Sequence, residues 1–222
     1  MDFDWAKPYP EMYKMCTAFQ MFELLNPIKF KYKQLQQFLQ SGPECGLVAL
    51  AMCMGNPTRD TIEKLYKTAK MKNYTHNGEM FSISDMTALA REYLHGNNIK
   101  IHIFNGFLDS DVIRNFLLDG GVMLVPYDTA KDNSPGFHKG HKAHWAAISG
   151  CILTEDDFYV IARHGKVRNI AIWKLKVLAD SNRQLLEVSP DRINHDIKYK
   201  LPEGGIAGPL GLNERSILIK YL

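Results

Sequence analysis

Cysteine is scarce in this chain: there are four in 222 residues, and none forms a Cys-x-x-Cys pair. A disulfide framework would need them denser and a structural zinc site would need them closer, so reduced thiols in a cytoplasmic protein are expected. Long apolar runs are lacking too. No stretch reaches the ~18 residues of a membrane span, and the opening Met-Asp-Phe-Asp-Trp has neither the basic nor the apolar region of a secretory signal. Charge of one sign is equally short: 27 Lys and Arg against 24 Asp and Glu leave a formal +3. That balance gives no global reason to expect nucleic acid or a membrane as partner. No internal repeat and no low-complexity segment interrupts the chain. What is present is a core, with 45% hydrophobic and 11% aromatic residues against 23% charged, as in an ordinary globular domain.

Periodicity divides the chain in two. Met12, Met15, Cys16 and Phe19 fall at i, i+3, i+4, i+7, which predicts a helix from Glu11 that Asn26-Pro27 stops. Further helices are predicted from about Pro43 to Met54, from near Thr58 (Ile62, Leu65, Tyr66, Ala69) and from near Ser84 (Met86, Leu89, Ala90, Tyr93). The period then changes. Ile99, Ile101 and Ile103 alternate with Lys100 and His102, as in a half-buried strand. A short helix over 111–118 and a compact apolar strand over 122–125 follow. Residues 128–142 hold two glycines, a proline, two histidines and three lysines, a loop long enough to be functional. Strands are predicted over 144–153, 158–162, 169–173 and 216–222, the first three joined by turns short enough for antiparallel pairing. Helices first and antiparallel strands second make an α+β domain over residues 35–222, preceded by a helical extension over residues 1–34.

One cysteine stands apart from the others. In Gln40-Ser41-Gly42-Pro43-Glu44-Cys45-Gly46, Ser41 and Glu44 have the S-x-x-E spacing of a capping box, with Pro43 tolerated in the first turn. Cys45 therefore falls where a helix begins, and the positive end of the helix dipole there favours thiolate. Backbone N–H groups at the same end, with the Gln40 amide, can hold an oxyanion. Gly42 and Gly46 leave the sulfur uncrowded. Cys53 and Cys151 sit in apolar runs without such signals and read as core residues.

A nucleophilic thiol needs an imidazole, and His144 supplies one at the junction of the 128–142 loop and an apolar strand. His138, His141 and His144 are three apart, which is not the spacing of a helical ligand pair, and lysines with no acid lie between them, so no metal is expected. No acid or amide lies inside the strand after His144. His164, Asn169 and Asp157 are the candidates to orient the base, His164 being preferred. Arg163, His164, Lys166 and Arg168, with His138, Lys139, His141 and Lys142, would form a basic rim. Arg163 and Lys166 are the residues expected to bind an acidic substrate.

Three pieces carry a resemblance: residues 40–50 (QSGPECGLVAL), residues 144–150 (HWAAISG) and residues 159–166 (YVIARHGK), with Ala179-Asp180-Ser181-Asn182 beyond them. From about Leu35 onward the chain resembles the actin maturation proteases, relatives of the papain-like peptidases that cleave double-glycine leaders. The resemblance implies a papain-like fold and a cytosolic thiol protease, needing no cofactor, that removes the acetylated first Met or Cys of immature actin. It implies Cys45 as nucleophile, His144 as base and Gln40 in the oxyanion hole. Actin continues with a run of acids, which the basic rim would meet. Mammalian members carry a proline-rich extension suited to profilin, whereas this chain offers only Lys7-Pro8-Tyr9-Pro10, so the profilin expectation does not carry over. Two other functions share the same residues. One is a different cysteine peptidase, such as a deubiquitinase-type isopeptidase; the other is a non-catalytic binding domain, which the missing strand acid would suit.

Overall fold

The computed structural model describes residues 2–94, 98–190 and 198–222. Its centre is a seven-stranded sheet, antiparallel at every pairing, with strands β1 (Lys29–Tyr32), β2 (Ile99–Asn105), β3 (Val122–Asp128), β4 (Ala143–Leu153), β5 (Phe158–Arg163), β6 (Ala171–Lys174) and β7 (Arg215–Tyr221). The order is β2-β7-β3-β4-β5-β6. β4 is long enough to serve two neighbours on one edge. Residues Ala143 to Ile148 pair with β3, and Gly150 to Leu153 pair with β1. The hand-over falls at a bulge between Ile148 and Gly150. A Cβ on Gly150 would lie 2.4 Å from the Lys31 carbonyl oxygen, so only glycine lets β1 approach there.

Alternation along β3 explains its burial on both sides. Val122 and Leu124 join a core with α2 (Cys45–Cys53), α3 (Arg59–Met71) and α4 (Ile83–Tyr93). Met123, Val125 and Tyr127 join another with α5 (Asp111–Leu118) and α6 (Leu175–Arg183). Helices thus cover both faces, and the α+β expectation holds. α3 is capped by Thr58, which accepts the Thr61 N–H, and α4 by Ser82, which accepts the Asp85 N–H. α5 runs over the predicted residues.

The N-terminal part departs from expectation. α1 (Pro10–Ala18) ends well before Asn26-Pro27: Phe19 is its C-cap and lies exposed, and Gln20 turns the chain with φ +50. The extension expected to be helical is not so throughout residues 2–34, because β1 joins the sheet. Tyr9, in the Lys7–Pro10 stretch, packs edge-on against Phe30 and Tyr32 of β1, at 5.4 and 5.5 Å between ring centres. Met12, Cys16 and Leu24 close a third small core against Ile152, Tyr159 and Ile161. No helix among the described residues is long and apolar enough to cross a membrane.

Candidate active site

α2 begins at Cys45, later than the capping-box spacing implies. Ser41 is not the cap; Glu44 holds that position, and its side chain is engaged elsewhere. Glu44 Oε1 accepts the Ser41 N–H at 3.0 Å, and its carboxylate takes a bidentate pair with Arg59, whose Nη2 lies 3.1 Å from Oε2. The buried acid beside the thiol is thereby neutralised. Cys45 is the first helical residue, so its backbone N–H has no intrahelical acceptor. Gly46 does not face the sulfur: a Cβ there would sit 3.2 Å from the Trp145 ring, so this glycine lets α2 pack on β4. Gly42 serves through its backbone, with φ +92.

A cleft of ≈ 350 Å³ at the end of the sheet is lined by Cys45 and His144 together. His144 comes from the β4 row that includes Ala146 and Ile148, on the face opposite α2. The thiol and the imidazole therefore share the cleft at the strand's start rather than across the sheet. Gln40 lines the cleft too. Its backbone N–H donates to Gly165 O at 2.8 Å and its Nε2 donates one proton to Gly42 O at 2.8 Å. The Gln40 side chain lies flat on Gly165, where an added Cβ would meet it at 2.8 to 3.2 Å.

The setting of His144 is aromatic. Tyr127 lies edge-on at 5.7 Å and His164 at 5.5 Å between ring centres, and His164 in turn stacks on Trp173. His144 Nε2 is buried and has no hydrogen-bond partner among the described residues. Burial, then the positive Lys166 and the neighbouring His164, hold the His144 imidazole well below its ordinary pKa. His164 is pushed down to about 4, by burial first and then by Lys166. Its Nδ1 accepts the Lys166 N–H at 3.4 Å. Of the other candidates to orient the base, Asp157 is paired with Lys174 at 2.5 Å in the turn at the far end of β5. Asn169 lines a separate pocket behind His164.

The basic rim is narrower than the sequence implies. Arg163 is turned away from the cleft. It is 3% exposed and makes a bidentate pair with Glu11 of α1, with Nη1 3.2 Å from Oε1, and it also bonds the Arg168 carbonyl. It ties the N-terminal segment to the sheet and is not placed to bind substrate. Among the described residues Lys142 and Lys166 are the two cations that line the cleft, with Lys166 Nζ 3.2 Å from Thr129 Oγ1. His141 is drawn off by Glu187 at 2.9 Å.

Asp128 carried no signal of its own in the sequence beyond its place at the head of the 128–142 loop. Its fully buried carboxylate accepts the N–H groups of His138, Gly140 and Lys142 and the Gln184 amide, at 2.7 to 2.9 Å. Ser181 accepts the Asp128 N–H, and Asn182 bonds the carbonyls of Pro126, Leu212 and Arg215. These residues fix the loop that brings Thr129 and Lys142 to the cleft.

Residues 35–152, which include Gln40, Cys45, Asp128 and His144, match the family model described as Actin maturation protease-like, C-terminal domain. The Actin maturation protease of Drosophila melanogaster is 42% identical over 221 residues, covering 98% of this chain and 81% of its own length. Those of Danio rerio and Homo sapiens are 32% and 31% identical over 76% and 79% of this chain, which spans 67% and 62% of their lengths. These matches set the chain, whose own fold is α+β, among peptidases. It belongs to the actin maturation protease family.

Proposed function

We propose that this chain is a cytosolic cysteine peptidase of papain-like architecture, with residues 35–222 as its peptidase domain. In this reading it removes the N-acetylated first Met or Cys of immature actin. The observation that carries it is Cys45, at the first position of a buried helix, on the same cleft as a buried, uncharged imidazole.

With its pKa depressed, His144 waits as a neutral base rather than as a standing imidazolium. It takes the thiol proton as the sulfur attacks the carbonyl carbon of the acetylated residue. The carbonyl oxygen becomes an oxyanion that the Cys45 N–H and the second Gln40 Nε2 proton can hold. When the C–N bond breaks, His144 returns the proton to the leaving amine and the shortened chain departs. Water, deprotonated by the same imidazole, then cleaves the thioester and releases the acetyl-amino acid. Among the described residues none bonds His144 Nε2 as an acid would, so Tyr127 and His164 act as positioning residues that hold the ring by packing. Lys142 and Lys166 favour acids on the leaving side.

The test is release of acetyl-methionine from an acetyl-Met-Asp-Glu-Glu peptide, followed by mass spectrometry. Cys45→Ala and His144→Ala should each lower turnover by about 10³ or more. Full turnover in Cys45→Ala would remove the cysteine mechanism.

A further inference from the structure

The cleft has two chemically different ends. Gln40, Thr129, Lys142 and Lys166 group at one, through the Gln40–Gly165 contact and the Thr129 bonds to Lys166 Nζ and Lys142 O. Met80, Phe81, Tyr199 and Leu212 form the other. Trp145 Nε1 donates to Met80 O at 2.9 Å and fixes that wall to β4, beside the base. The apolar end is bounded by an aromatic pair. Phe81 and Tyr199 meet edge to face at 5.9 Å, and the two segments that carry them are joined on both sides of the rings. Asn77 Nδ2 donates to Lys198 O at 3.0 Å, and the Ile83 N–H donates to Leu210 O at 2.9 Å. Glu79, the one carboxylate lining the cleft among the described residues, adjoins Met80 in the chain.

We infer that the Phe81–Tyr199 pair is an end wall that admits a single capped, apolar residue on the acyl side of the scissile bond. This rests on the peptidase reading and adds the determinant that makes the enzyme an exopeptidase. A volume of ≈ 350 Å³ is near the floor of the about 300–1,000 Å³ found for small-ligand clefts. It holds a capped residue and the start of the next, not an extended chain running through. The apolar end takes the first residue and the cationic end takes the acids after it, so charge and shape enforce one orientation. A chain longer by one residue must either clash with the rings or back out, which puts an apolar residue in place of the first acid at the cationic end.

Binding tests the wall apart from the chemistry. The full chain carrying C45A is titrated with acetyl-Met-Asp-Glu-Glu and acetyl-Gly-Met-Asp-Glu-Glu, each labelled at its C-terminus, and anisotropy is read. The shorter peptide should bind about tenfold more tightly, and adding Tyr199→Ala should bring the two within about twofold to threefold. Phe81→Leu is the second variant, and melting curves show that each protein is folded. Equal binding by the parent, or an undiminished gap in a folded variant, overturns the wall. A preserved gap with no Cys45-dependent turnover overturns the peptidase reading instead.

Discussion

Adding one carbon at Gly165 tests the oxyanion donor without touching it. Because a Cβ there would meet the Gln40 side chain at 2.8 to 3.2 Å, Gly165→Ala should push the amide out of line. Loss of one oxyanion donor costs about 10² in kcat, so steady-state kinetics should show that fall, with KM little changed and melting preserved. Unchanged kcat would remove Gln40 from the role. Single residues were legible where local chemistry decides them. Gln40, Cys45 and His144 were marked by turn and helix-start signals within a few positions, and all three line the cleft. Arg163 was not legible, because its direction is set by Glu11, 152 positions away in the chain. Of the capping box only one half forms: the Glu44 carboxylate, paired with Arg59, still accepts the Ser41 N–H, but Ser41 does not cap α2. Arg59→Met would leave that buried carboxylate short of a partner. It should cost about 1–3 kcal/mol of stability in urea titration, discounted toward the low end because Arg59 is partly exposed.

At the scale of elements, the loop between β3 and β4 is hung on one carboxylate. Four donors converge on Asp128, and bonds to an ionised acceptor are worth more than neutral ones. Asp128→Asn replaces an acceptor oxygen by an NH2 facing N–H groups. It should cost about 3 kcal/mol, a large share of a domain's stability. Hydrogen exchange at the amides of His138, Gly140 and Lys142 should quicken before the sheet opens, and activity should fall as Thr129 and Lys142 lose their place. Unchanged exchange at those three amides would show that the loop is held otherwise. Elements with a strong period of their own were read well, α5 to the residue. Two were missed for identifiable reasons. β1 is four residues, Lys-Phe-Lys-Tyr, whose pairing partners lie more than a hundred positions on in β4. α6 has Leu175, Leu178, Ala179 and Asn182 at helical spacing, but its N-cap, Lys174, offers no capping side chain.

Across the whole molecule, a small net charge of +3 conceals a cleft lined by Lys142 and Lys166. With an acidic peptide, kcat/KM should fall as salt rises from 0.05 to about 0.5 M, while an uncharged analogue should show no such fall; equal slopes would dissociate the lysines from substrate capture. Stability should respond to pH through the buried histidines. Both His144 and His164 are held below their ordinary value, His164 at about 4. Below pH 6.5 the unfolded chain therefore binds protons that the folded chain refuses, and folding stability drops as pH falls toward the folded values. Each group contributes up to about 1.4 kcal/mol per pH unit across that window and nothing above it. Removing one imidazole isolates its share. His164→Asn should therefore halve the histidine part of the slope between pH 6 and 5 in denaturant titrations, while its stability at pH 8 keeps a constant offset from the parent. Carboxylates contribute equally to both proteins and cancel in the difference. Parallel curves through pH 5 would mean that His164 takes up its proton in the fold as readily as in the unfolded chain, and that the aromatic setting around His144 is open to water.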